Sequence, residues 1–173
     1  MNSVLPPELP SFDDPIGLLR ACHDRMLDHC ELLEKLVTHI SEHGIDTQAK
    51  QVITNIQRYF TTSAVYHHQD EEENLFPLLN RQSLKLTDLI FRLNKEHREL
   101  NDLWDLINRD LNVLSSLTDN STFSNHVEKF CSHYRKHITL ENEDLLPMAQ
   151  HIISSQQLED MGKAMADRRG VTL

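Results

Sequence analysis

A chain of 173 residues with 27 Asp and Glu against 17 Lys and Arg carries a formal charge of −10. It is long enough to bury the core of one domain. Its charge has the wrong sign for nucleic acid or an anionic membrane surface, which reward clustered Lys and Arg, but it suits cations. Four Gly and six Pro leave few turns, and no extended alternation of Val, Ile and aromatics marks a strand, so the composition points to long helices.

Residues 1–13 read as an N-terminal arm. They contain no basic region followed by an apolar run, and nowhere is an apolar stretch long enough to span a bilayer. Asp14-Pro15 is a helix start, a capping carboxylate followed by Pro in the first turn. From it an apolar stripe runs Leu19, His23, Met26, Cys30, Leu33, Val37, Ile40, until Gly44 stops it. A second helix, with Thr47 as its cap, carries Ile53, Ile56, Phe60, Ala64, His67, Glu71, Leu75 and ends around Pro77. A third begins near Ser83 to Leu86 and carries Leu86, Ile90, Leu93, His97, Leu100, Trp104, Ile107, Leu111, Leu114. A fourth begins near Ser121 and carries Phe123, Val127, Phe130, Tyr134, His137, Glu141, Leu145. A short fifth runs from Ser154 or Ser155 to about Arg169; Ser154 with Gln157 makes a capping box and Gly170 the stop. The expected fold is all-α: residues 14–171 form one up-down-up-down four-helix bundle with a short fifth C-terminal helix.

Each of the four stripes is broken at one level by His, or by His and Glu. The second and fourth helices carry the same phrase: His67 to Pro77 and His137 to Pro147 each place a Glu four residues after the His and end apolar-apolar-Pro. Residues i and i+4 share a helix face. At about 1.5 Å per residue, His23 lies about 12 Å from its helix start, the two pairs lie about 15 and 9 Å before Pro77 and Pro147, and His97 lies about 18 Å into the third helix. His23, His67, Glu71, His97, His137 and Glu141 therefore point inward at one height. Buried without partners they would cost several kcal/mol apiece; metal removes that cost. Four imidazoles and two carboxylates exceed one tetrahedral zinc. They divide between two ions, each with two His, bridged by the two Glu. Nitrogen and oxygen donors suit iron, manganese or zinc. The ions would need a further anionic bridge such as oxide or hydroxide, with positions left for water or a small molecule.

This set resembles the hemerythrin-like (HHE cation-binding) family of non-haem di-iron proteins. The likeness rests on His23 in Ala-Cys-His-Asp, the two His-x3-Glu segments ending Leu-Phe-Pro and Leu-Leu-Pro, His97 in Lys-Glu-His and the terminal Met165-Ala-Asp-Arg-Arg-Gly170, and it spans about residues 13 to 171. It implies two iron ions, oxo- or hydroxo-bridged, with Glu71 and Glu141 bridging and the four His as terminal ligands; zinc or manganese could substitute. Oxygen-carrying hemerythrins add a His four residues after the helix 3 His and an Asp on helix 4, whereas this chain has Asn101 and Glu141. The resemblance therefore implies binding or sensing of a small diatomic ligand, oxygen or nitric oxide, or iron handling, rather than simple oxygen storage. The alternatives are a di-iron oxidase, peroxidase or nitric-oxide-reducing enzyme, an iron–sulfur cluster repair factor, or a structural zinc or manganese bundle. Repair factors tend to carry a Cys-bearing N-terminal segment, and the first 12 residues here hold no Cys. A ferritin-like site is disfavoured, since those use Glu-x-x-His pairs and no His here has a Glu three residues before it.

The remaining polar residues are expected to play lesser parts. His68, Asp70, Glu72 and Glu73 read as a solvated acidic face, so Glu72→Ala should keep the metal while Glu71→Ala or Glu141→Ala should lose it. His133 is an outside candidate for a seventh ligand. His29, His39, His43, His126 and His151 read as surface or peripheral residues. Tyr134 and Trp104 read as core residues. The three Cys form no Cys-x-x-Cys pair, and reduced thiols point to the cytoplasm.

Overall fold

A computed structural model describes residues 11–114 and 120–172. Residues 1–10 of the expected arm and the connector 115–119 lie outside the described residues. Helix α1 spans Pro15–His43. Asp14 accepts a hydrogen bond from the Gly17 N–H at 3.0 Å, and Pro15 occupies a first-turn position where no donor is needed. Gly44 ends the helix with φ 73°, a left-handed conformation that suits glycine, and its N–H bonds the Ile40 carbonyl. Helix α2 spans Thr47–Thr61. Its cap is Asp46 rather than the expected Thr47: the Asp46 carboxylate, one residue earlier, accepts from the Ala49 N–H at 2.8 Å.

The chain bends at Thr62, whose hydroxyl turns back onto the Arg58 carbonyl at 2.6 Å. It resumes as α3 (Ser63–Gln69), a π-helical turn (Asp70–Leu75) and α4 (Phe76–Gln82). After a 3-10 turn at Leu84–Leu86 comes α5 (Thr87–Val113). Helix α6 (Ser121–Leu140) leads through a second π-helical turn (Glu141–Leu145) into α7 (Leu146–Ile152), and α8 (Ser155–Arg168) follows behind the Ser154 and Gln157 capping box.

Pro77 and Pro147 do not end their helices as expected. The Phe76 N–H reaches back five residues to the Glu71 carbonyl, and the Leu146 N–H likewise to Glu141. Each Pro then falls in the first turn of a fresh helical register, where its missing N–H costs nothing. The repeated apolar-apolar-Pro ending thus marks a π bulge, with a buried Glu at its start.

Helix α1 packs against α2 and α6, and α5 against α6 and α2, giving the up-down-up-down bundle. The core forms two apolar blocks. One holds Met26, Phe60, Ala64, Leu100, Trp104, Phe130 and Tyr134. The other holds Leu19, Leu75, Leu79, Leu93, Leu145 and Leu146. Along every helix the polar residues fall at the boundary: Leu19, His23, Met26 on α1 and Leu93, His97, Leu100 on α5.

Helix α8 packs on α1 and the first π turn. It sends Met161 and Met165 into the second block and passes close to Phe12. A methyl group on Gly162 would sit 2.0 Å from the Phe12 carbonyl oxygen. Gly162→Ala should therefore lower the unfolding midpoint at a cost of about 1–3 kcal/mol, as thermal denaturation followed by circular dichroism would register; an unchanged midpoint would mean that residues 11–13 yield freely.

Candidate metal centre

The structure brings all six sequence-derived residues into one buried layer: His23, His67, Glu71, His97, His137 and Glu141 are each at most 1% exposed. The imidazole Nε2 atoms converge in two pairs, His23 with His67 and His97 with His137, each 3.1 Å apart. Each Glu sends one oxygen to each pair. Glu71 Oε1 lies 3.3 Å from His67 and 3.8 Å from His23, and its Oε2 lies 3.3 Å from His97. Glu141 Oε2 lies 3.1 Å from His23, and its Oε1 lies 3.2 Å from His137 and 3.8 Å from His97. Two quartets result, His23, His67, Glu71, Glu141 and His97, His137, Glu71, Glu141, each with its donor atoms within 4.8 Å of one another.

This geometry fits a pair of cations. Two donors about 2.1 Å from one ion and at right angles to each other stand about 3.0 Å apart, close to the spacings within each pair. All four carboxylate oxygens of Glu71 and Glu141 are buried without a hydrogen-bond partner, a state that folded proteins avoid unless something else binds the group.

The outward imidazole nitrogens fix the tautomers. His23 Nδ1–H donates to Asn142 Oδ1 at 2.8 Å, His97 Nδ1–H to Glu72 Oε1 at 2.7 Å and His137 Nδ1–H to Glu96 Oε2 at 2.9 Å. An oxygen that can only accept keeps the proton on Nδ1 and leaves the Nε2 lone pair facing the centre. His67 Nδ1 has no such acceptor.

Three expectations need correction. Glu72 is no bystander, because one step round the helix from Glu71 it faces α5 and receives the His97 proton; Glu72→Ala should weaken the centre. His68 is buried, stacked on His97 with ring centroids 4.0 Å apart, and bonded at 3.3 Å to the Tyr134 hydroxyl. Asp70 is also fully buried. Arg168 grips its Oδ1, and Arg169 donates to its two oxygens at 2.7 and 3.1 Å. Arg168 further reaches Asn74 at 3.0 Å and Glu73 at 2.7 Å; Glu73 stays exposed, as expected of a solvated acidic residue. His133 stands 3.5 Å from Glu99 and is not among the converging residues. Glu96 and Asn142 were not singled out from sequence. Asn142 had a signal, since it occupies in the second repeat the place of Glu72 in the first.

Without metal the layer is a buried ion-pair array. Burial pushes the Glu71 carboxyl up, but the His67 charge and the close approach of the His23, His67 and His97 ring nitrogens outweigh it and hold Glu71 well below the ordinary range. Glu141 is also held well below that range: burial and the Glu71 charge raise it, and His137 and His23 more than offset both. Burial lowers the imidazoles, but the carboxylates raise His23 to about 10 and His67 to about 9, with His97 and His137 raised too. The raised imidazoles stabilise the metal-free fold fully below their unfolded value near 6.5 and lose that effect as pH passes about 9 to 10. The depressed carboxyls stabilise it above about 4.5 and lose that effect on acidification. Metal needs neutral imidazoles, so uptake near neutral pH should release protons and apparent affinity should climb toward pH 9. Calorimetry in buffers of different ionisation heat counts those protons; uptake without proton release would contradict the assigned charges.

The family model described as the hemerythrin HHE cation binding domain matches residues 14–149. The chain is also 31% identical over 171 residues, covering 99% of both chains, to an uncharacterized protein of Haemophilus influenzae.

Proposed function

The chain belongs to the hemerythrin HHE cation-binding domain family, and from that membership and the geometry of its centre we infer that it is a non-haem di-iron protein that binds or senses a small diatomic molecule, oxygen or nitric oxide, or handles iron. The observation that carries the reading is the set of four unpartnered carboxylate oxygens facing two pairs of imidazole nitrogens. His23, His67, His97 and His137 would be the terminal ligands and Glu71 and Glu141 the bridges. Nitrogen and oxygen donors without thiolate suit iron. An iron pair supplies reversible redox change and positions for a small ligand. The chain's own residues hold and orient: Asn142, Glu72 and Glu96 fix the imidazoles, and the two apolar blocks keep bulk water away. No protein nucleophile is assigned. Among the described residues no helix is long and apolar enough to cross a membrane, and three buried free thiols accord with a reducing, cytoplasmic setting.

Metal analysis joined to a gas titration tests the reading. Two irons per chain and a reversible spectral change under oxygen or nitric oxide are expected. Turnover of peroxide or nitric oxide would instead favour a di-iron enzyme, and stoichiometric zinc in a colourless protein a structural bundle.

A further inference from the structure

The two halves of the centre are backed differently. Behind the His97 and His137 pair stand two carboxylates, Glu72 and Glu96, each accepting an Nδ1 proton. Behind the other pair stand the neutral amide of Asn142 on His23 and no carboxylate on His67, whose ring interacts instead with the Cys22 sulfur. A cation attends each side: Arg92 donates to Glu96 at 2.7 Å, and Arg25 points its guanidinium at the Cys22 sulfur, next to His23, at 3.4 Å, so the difference rests on the groups that directly back the imidazoles. The asymmetry is written into the repeat, where Glu72 in the first copy matches Asn142 in the second. A carboxylate behind an imidazole raises its basicity and adds negative charge near the ion; a neutral amide orients the ring without that charge.

We propose that the two ion positions are unequal: the His97–His137 position fills first and holds its ion, and the His23–His67 position is the late-filling, exchangeable one. This rests on the di-metal reading above and adds a regulatory consequence. At limiting metal the chain carries one ion; at sufficiency it carries two. Occupancy of the second position then reports metal availability, and it decides whether a two-ion centre exists to meet a small ligand.

Stepwise titration of metal-free protein with Co(II), read by its visible absorption, tests this. Two resolved steps are expected, the first at least about tenfold tighter, as removal of an orienting carboxylate changes metal affinity by about 10–100-fold. Glu72→Gln with Glu96→Gln should weaken the first step by that factor and leave the second in place. Asn142→Asp, which keeps the acceptor and adds charge, should tighten the second step and close the gap. His67→Ala should abolish the second step alone. One step of two equal ions in the unaltered protein, or first-step loss in His67→Ala, would overturn the inequality while leaving the di-metal reading intact. Failure of the unaltered protein to bind metal stoichiometrically would overturn both.

Discussion

Glu71→Ala is expected to purify without stoichiometric metal and, metal-free, to unfold with a loss of about 3–5 kcal/mol, the cost of breaking a fully buried ion pair by removing one partner. Glu71 lies within 3.8 Å of His23, His67 and His97 together. Its removal takes an oxygen from each quartet and leaves raised imidazoles facing Glu141 alone. Glu141→Ala should behave alike, because its oxygens lie 3.1 Å from His23 and 3.2 Å from His137. Elemental analysis and chemical denaturation check both losses. A variant that still carries two ions per chain would show that the carboxylates are not bridges.

A second large effect is expected far from the ligands in sequence. Replacing Arg168 and Arg169 together with Ala should cost about 3–5 kcal/mol, because it strands the fully buried Asp70 carboxylate. Among the described residues Asp70 is held by these two guanidinium groups, and it sits beside Glu71 in the first π turn. Arg169 also lies over the Phe12 and Tyr66 rings, 6.0 and 5.5 Å from their centroids. Loosening α8 should therefore loosen the turn that carries Glu71, and metal should pass to a chelator faster than from the unaltered protein. Arg169→Lys keeps the charge but not the forked geometry and should show a smaller loss. Unchanged stability in the double variant would mean that Asp70 finds water once α8 is released.

Much of this was legible in the sequence, for identifiable reasons. Helix ends marked by a carboxylate before Pro15 or by Gly44 were readable because caps act within four residues. The six-residue layer was readable because polar breaks in an apolar stripe inherit the stripe's direction. What escaped reading depends on contacts between elements. Pro77 looks like a terminator until the π bulge shifts the register. Asp70 and His68 look solvated until α8 and Tyr134 cover them, and nothing local says that Arg168 lies against a turn nearly a hundred residues earlier. Glu72 shares a helix with Glu71 but serves a His on another, which pattern reading along one helix does not reach. Comparison of the two repeats would have reached it, since Glu72 and Asn142 hold the same place and do the same work on different imidazoles.

The most direct measurement is anomalous diffraction from crystals of the iron-loaded protein, collected on both sides of the iron edge. Two iron peaks are expected inside the bundle, one between His23 and His67 and one between His97 and His137, with Glu71 and Glu141 spanning them. A single peak, or iron bound outside these six side chains, would contradict the account.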